Sequence, residues 1–73
     1  MNKGRVKWFN EIKGFGYICS EDGREVFVYY KDIAGDGFRT LFENEPVFFD
    51  IVDTQRGIQA VNVVKTEEKN LYR

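Results

Sequence analysis

Two short runs hold the side chains with the most chemical potential: Lys13-Gly14-Phe15-Gly16-Tyr17-Ile18 and Val26-Phe27-Val28-Tyr29-Tyr30. In each, aromatic rings take alternate positions, and small or aliphatic residues fill the gaps. Rings set out in rows offer flat π surfaces, whose chemistry is stacking, reinforced by nearby cations. Two-residue alternation is also the period of a β-strand. It puts Phe15 and Tyr17 on one face with Gly16 and Ile18 on the other, and Phe27 and Tyr29 opposite Val26 and Val28. If these strands pair, the sheet has an aliphatic face and an aromatic one. A domain of this size has one core and can bury only one of them, so the other is left to solvent.

The chain has 73 residues, room for one domain and no second. A domain this small buries only about 60% of its unfolded surface, so its stability should be marginal. No apolar run is long enough to span a membrane, and the start, Met1-Asn2-Lys3-Gly4-Arg5, lacks a signal-peptide stretch. The single cysteine, Cys19, rules out an internal disulfide and fits a reducing compartment, so the expected location is the cytoplasm. One thiol and no histidine argue against a zinc site, and no cofactor is expected. Eleven basic residues against twelve acidic ones give a net charge of −1, which excludes a polycation that coats duplex DNA. The distribution is uneven: Lys3, Arg5, Lys7 and Lys13 face only Glu11 in the first thirteen residues.

Five strand-like segments must position the rings: residues 3–10, 15–20, 24–30, 46–52 and 58–64. Asp22-Gly23 is a hairpin signal, Pro46 is tolerated as the first residue of a strand, and Gln55-Arg56-Gly57 marks a turn. Residues 31–34 can form one helical turn with Ile33 inward. The 31–45 connection is long for a compact domain, and its Gly35-Asp36-Gly37-Phe38 tip puts a ring on a glycine-flanked site. Short strands with little else to cover their edges favour closure, hence an all-β, five-stranded antiparallel barrel of the oligonucleotide-binding (OB) type. Its expected core is Val6, Ile18, Val26, Val28, Ile33, Val47, Phe49, Ile51 and Val63. Phe48 alternates away from Val47 and Phe49, either half-covered or an added platform. The polar tail 66–73 is expected to fray in part, and Leu71 and Tyr72 have no evident place.

The candidate exposed set is Trp8, Phe15, Tyr17, Phe27, Tyr29, Tyr30 and Phe38. Simple alternation puts Trp8 on the Val6 side, so its membership requires a bulge or bend in the first strand. Lys7, Lys13, Lys31, Arg39 and Arg56 are interleaved with these rings. Unpaired bases stack on aromatic rings while cations track phosphates, so the combination suits single-stranded nucleic acid. Each stacked base is worth roughly 1–3 kcal/mol whatever its identity. On a chain without net positive charge, stacking should dominate. Three other readings compete. Rings as ordinary core are disfavoured because the opposite face already supplies aliphatics. A protein–protein patch would also expose rings. A magnesium nuclease would use paired carboxylates such as Glu21/Asp22 or Glu43/Glu45, but these read as solvated turns, and no histidine base accompanies them.

The chain resembles the bacterial cold shock proteins, members of the cold shock domain family. The resemblance rests on Gly4-Arg5-Val6-Lys7-Trp8-Phe9-Asn10, the Lys13–Ile18 run, Asp22-Gly23, Val26-Phe27-Val28, Gly37-Phe38, Gly57 and Ala60-Val61-Asn62-Val63. It covers residues 1–65 as one OB-fold domain and leaves 66–73 as a tail. It implies a noncatalytic protein that binds single-stranded RNA and DNA with weak sequence preference, favouring pyrimidines. It further implies an RNA chaperone, with effects on transcription termination or translation in some members. By matching position it implies a surface of Lys7, Trp8, Lys13, Phe15, Tyr17, Phe27, Tyr29, Tyr30, Phe38 and Arg56. Either a monomer or a strand-swapped dimer, hinged in 31–45, is compatible with the sequence.

This chain departs from the family pattern in places. Tyr29-Tyr30 stands where histidine and phenylalanine are usual, Lys31 replaces a common serine, Ile58 a common proline, and Asn44-Glu45 a common Gly-Gln turn. Tyrosine keeps the stacking face and adds a hydroxyl. Without histidine, no side chain at its ordinary pKa changes charge near neutrality. Oligonucleotide affinity at fixed salt is therefore expected to be flat between about pH 6 and 8; a steep change in a titration across that range would overturn the assigned surface.

Overall fold

Alternating patterns become strands wherever they are unbroken. The computed structural model describes residues 1–35 and 39–66. It places β1 at Asn2–Asn10, β2 at Phe15–Ser20, β3 at Glu25–Tyr29, β4 at Pro46–Thr54 and β5 at Gly57–Lys65. One 3-10 turn, Tyr30–Asp32, follows β3 and delivers Ile33 inward, where it bridges to Val63. Phe38 and the tail from residue 67, with Leu71 and Tyr72, lie outside the described residues. Thr66 is buried, and its amide donates to the Pro46 carbonyl oxygen at 3.4 Å.

The strands close into a barrel in the order β1-β2-β3-β5-β4. The pairs β1–β2, β2–β3, β1–β4 and β4–β5 are antiparallel, and β3 meets β5 in parallel, with Phe27 opposite Gln59. This corrects the expectation of a purely antiparallel barrel, and the reason is parity. Directions cannot alternate all the way round a ring of five, so one neighbouring pair must run the same way. β1 serves both sides: Asn2–Arg5 pairs with β4, Asn2 opposite Phe49, and Gly4–Asn10 pairs with β2, so Gly4 and Arg5 are held from both edges.

The aliphatic face forms the core. Val6, Ile18, Val26, Val28, Ile33, Leu41, Val47, Phe49, Ala60 and Val63 are buried, with Phe9, Ile51 and Ile58 packed at the margin. Ile51, expected inside, is only half-buried; Ala60, opposite it, has just a methyl group with which to cover it. Ala60 and Val63 both point inward although three residues apart. The β4–β5 register shifts between Phe48 and Asp50, and Asn62 takes φ 53° there, a left-handed conformation that asparagine tolerates. Asn44 does the same at φ 69°, in the turn before β4.

The β2–β3 hairpin is fastened at its tip. Gly23 has φ 95°, the Ser20 amide donates to the Arg24 carbonyl oxygen at 2.8 Å, and Arg24 Nη2 lies 2.8 Å from Asp22 Oδ2. The Arg24 side chain, and then its amide, hold the Asp22 carboxyl down to about 2 from the ordinary 3.8. A folded value below the unfolded one means the contact stabilises above about 3.8 and is lost as pH falls through about 2. Asp22→Asn should therefore unfold at lower urea than the parent at neutral pH, with the gap closing between about pH 4 and 2. A gap that stays constant in urea titrations over that range would contradict this linkage.

Candidate nucleic-acid interface

Trp8 reaches the aromatic face because β1 contains one extra residue. Val6 is opposite Ile18 and Trp8 opposite Tyr17, so two steps of β1 match one of β2 and Lys7 is the bulged residue. The bend that the sequence requires is this bulge. Directly after it, Phe9 turns back inward opposite Gly16. A Cβ on Gly16 would collide with the Trp8 carbonyl oxygen and lie 2.7 Å from the Phe9 Cα, so the two backbones can meet only at a glycine. Gly14 makes a similar opening. At φ 81° it ends the 11–14 turn directly before β2, and a Cβ there would sit 2.8 Å from Tyr30 Cδ1.

Four rings form one layer. Trp8 lies 5.9 Å from Phe15 and 5.7 Å from Tyr17, centroid to centroid. Phe27 lies 6.0 Å from Phe15, at a shallow 27° between planes, and 5.7 Å edge-on from Tyr17. Tyr29 and Tyr30 form an adjoining pair at 5.0 Å. Trp8, Tyr29 and Tyr30 are exposed, whereas Phe15, Tyr17 and Phe27 are half-buried because they cover one another's edges. An open groove runs over Phe15, Phe27 and Tyr29, and Arg56 and Gln59 form its far wall. The layer is an apolar platform with polar groups along one side.

The comparisons with known proteins agree with this geometry. Residues 2–66 match the family described as the 'Cold-shock' DNA-binding domain. The chain belongs to this family. The cold shock-like protein CspD of Bacillus cereus is 57% identical over 65 residues, covering 89% of this chain and 98% of that one. The cold shock-like protein CspC of Bacillus cereus is 59% identical over 63 residues, 86% and 97% of the two chains. Among solved structures, drosophila Unr CSD456 superposes with a TM-score of 0.71 at 21% identity. That match covers 89% of this chain and 26% of the other, and it supports the fold.

In this cold shock domain the cations do not gather as their positions in the chain suggest. Lys7 Nζ donates to Glu25 Oε2 of β3, and this hydrogen bond, then the charge of Glu25, raises the Lys7 pKa. Lys7 is the bulged residue of β1, and its charge is already partnered. Lys3 lies 5.8 Å over the Phe48 ring, and Arg5 donates to the Asn44 carbonyl oxygen at 2.9 Å. Of the N-terminal basic residues, Lys13 borders the rings, sharing a groove with Tyr30. Arg56 lines grooves beside Tyr17 and Phe27 and beside Phe15 and Tyr29. Phe48 is exposed against Lys3 and Val64, so it stands outside the ring layer. Two of the four carboxylates weighed for metal chemistry are engaged in turns, Asp22 with Arg24 and Glu45 with the Phe42 amide at 3.0 Å.

Gln59 is a groove residue that pattern reading missed. Its amide nitrogen donates to Asp32 Oδ2 at 2.8 Å, which fixes the side chain beside Phe27. Only the parallel closure brings it there, and nothing in the alternation of β5 signals it. The backbone contact at Gly16 leads to a direct test. Gly16→Ala should destabilise the fold by about 1–3 kcal/mol, as overpacking does. It should also shift Trp8 emission in the folded protein, because the bulge that carries Trp8 must move. Unchanged stability and emission would show that β1 and β2 can separate at no cost.

Proposed function

We propose that this cold shock domain binds single-stranded RNA and DNA by stacking unpaired bases on Trp8, Phe15, Tyr17, Phe27, Tyr29 and Tyr30. The observation that carries the reading is the continuous ring layer held outside a core already filled by aliphatic side chains. Duplex hides the π faces of its bases, so such a platform selects unpaired strands. Stacking is indifferent to base identity, which gives low sequence specificity. The pyrimidine preference is carried over from the family resemblance. Lys13 and Arg56 neutralise phosphates along the edges, Lys7 contributes to the extent that a strand displaces Glu25, and Phe38 joins the surface by family position.

Holding bases unpaired is the physical basis of RNA-chaperone action, since every stacked base is withdrawn from competing hairpins. An effect on transcription termination or translation in the cytoplasm would follow from the same step, because both respond to RNA secondary structure. Either a monomer or each half of a strand-swapped dimer would supply this platform. Binding at the rings needs no metal and no catalytic group.

Trp8 is the reporter. Its fluorescence should be quenched by oligothymidine or oligouridine and left unchanged by duplex of equal length. Phe15→Ala and Phe27→Ala should each weaken binding by roughly 1–3 kcal/mol, about five- to 150-fold, with the circular dichroism of the fold retained. Quenching by duplex as strong as by single strands, or full affinity in both variants, would refute the stacking platform. Opening of a fluorescently labelled RNA hairpin by the parent and not by Phe15→Ala would bear out the chaperone role.

A further inference from the structure

Among the described residues, Lys13 and Arg56 of the assigned surface are in no ion pair, whereas Lys7 is joined to Glu25. We infer that Glu25 is a built-in competitor of the bound strand. Its carboxylate occupies Lys7 where a phosphate would otherwise sit, and so holds down both the affinity for single strands and its dependence on salt. This rests on the single-strand reading above and assigns a residue that opposes it.

The contact is built across three strands. Glu25 opens β3, and alternation puts it on the face of Phe27 and Tyr29, one outward position beyond Phe27. Cys19 of β2 is opposite both Arg5 and Glu25, and it is exposed. Its side chain is short, so the way from β1 to β3 over β2 is open at that point. The bulge supplies the reach. As the extra residue of β1, Lys7 has no mate in β2, and its long side chain spans to Glu25. The pair therefore closes the end of the ring layer beyond Tyr17 and Phe27, away from the end that carries Tyr29 and Tyr30.

A carboxylate fixed there is hard for a phosphate to replace. It is tethered beside the ammonium, at an effective concentration that a free anion reaches only in concentrated salt. A phosphate that displaces it frees no small counterion, so Lys7 adds little to the counterion release that drives such contacts. The displaced carboxylate is then left near a phosphate of like charge. Both side chains are about half exposed, 47% for Lys7 and 53% for Glu25, so the pair is weak enough to exchange with a ligand. Glu25 thus shifts the hold on a strand from charge to the rings.

The test is Trp8 quenching by oligothymidine for the parent, Glu25→Gln, Lys7→Gln and the double variant, each first shown to be folded by circular dichroism. Glutamine keeps the length of glutamate and removes its charge. At about 0.05 M salt Glu25→Gln should bind roughly two- to fivefold more tightly than the parent, the span of an exposed ion pair. Its log affinity should fall more steeply with log salt, by about 0.7, the share of one newly neutralised phosphate. By about 0.5 M salt the gain should be gone. In the Lys7→Gln background the same change should leave the slope as it is and lose the gain. Equal or weaker binding by Glu25→Gln, a gain without a change of slope, or the same gain without Lys7 would overturn the competition while leaving the ring layer standing. No quenching of the parent by any oligothymidine would sink the stacking reading and this inference with it.

Discussion

Where β1 passes β2 at Gly16, backbone lies against backbone with no room for a methyl group. That close approach lets the bulge at Lys7 form, and the bulge is what separates Val6, which must be inside, from Trp8, which must be outside. Without it, alternation would carry the indole into a core already filled by aliphatic side chains. The same approach gives Phe9 its inward place opposite Gly16, sealing the core margin beneath the rings. A single missing side chain thus sets both the filling of the barrel and the make-up of its outer surface.

The odd number of strands does comparable work on the other side of the ring layer. Because five strands must include one parallel pair, β5 runs alongside β3 and sets Gln59 against Phe27. The turn preceding β5 then brings Arg56 over the same rings. The aromatic platform comes from the β1–β3 meander, and its polar border comes from the β4–β5 hairpin. Neither half makes the groove without the other.

Much of this was legible in the sequence because strand alternation is a local rule. The five strands, the inward Val26 and Val28, the outward Phe27 and Tyr29, and the Asp22-Gly23 turn all follow from neighbours along the chain. What was not legible depends on strands far apart in sequence. Ala60 enters the core because β5 slips register at Asn62, a conformation that local pattern does not announce. Leu41 is buried from a segment without strand periodicity. Cations were the least legible. Lys3, Arg5 and Lys7 look like a basic cluster in sequence, but each finds a different partner across the barrel: Phe48, the Asn44 carbonyl and Glu25. Long side chains on an open surface are placed by tertiary neighbours, which a linear pattern does not contain.

The division of β1 between two partners bears on how the chain is made. The first three strands are consecutive in the chain, but the Asn2–Arg5 edge of β1 has its mate only in residues 46–49. The nascent meander thus exposes two unbonded margins, on β1 and on β3, and such margins invite pairing with other chains. Both margins are covered in the barrel by the β4–β5 hairpin, so strands later in the chain protect the edges that the earlier ones would leave open.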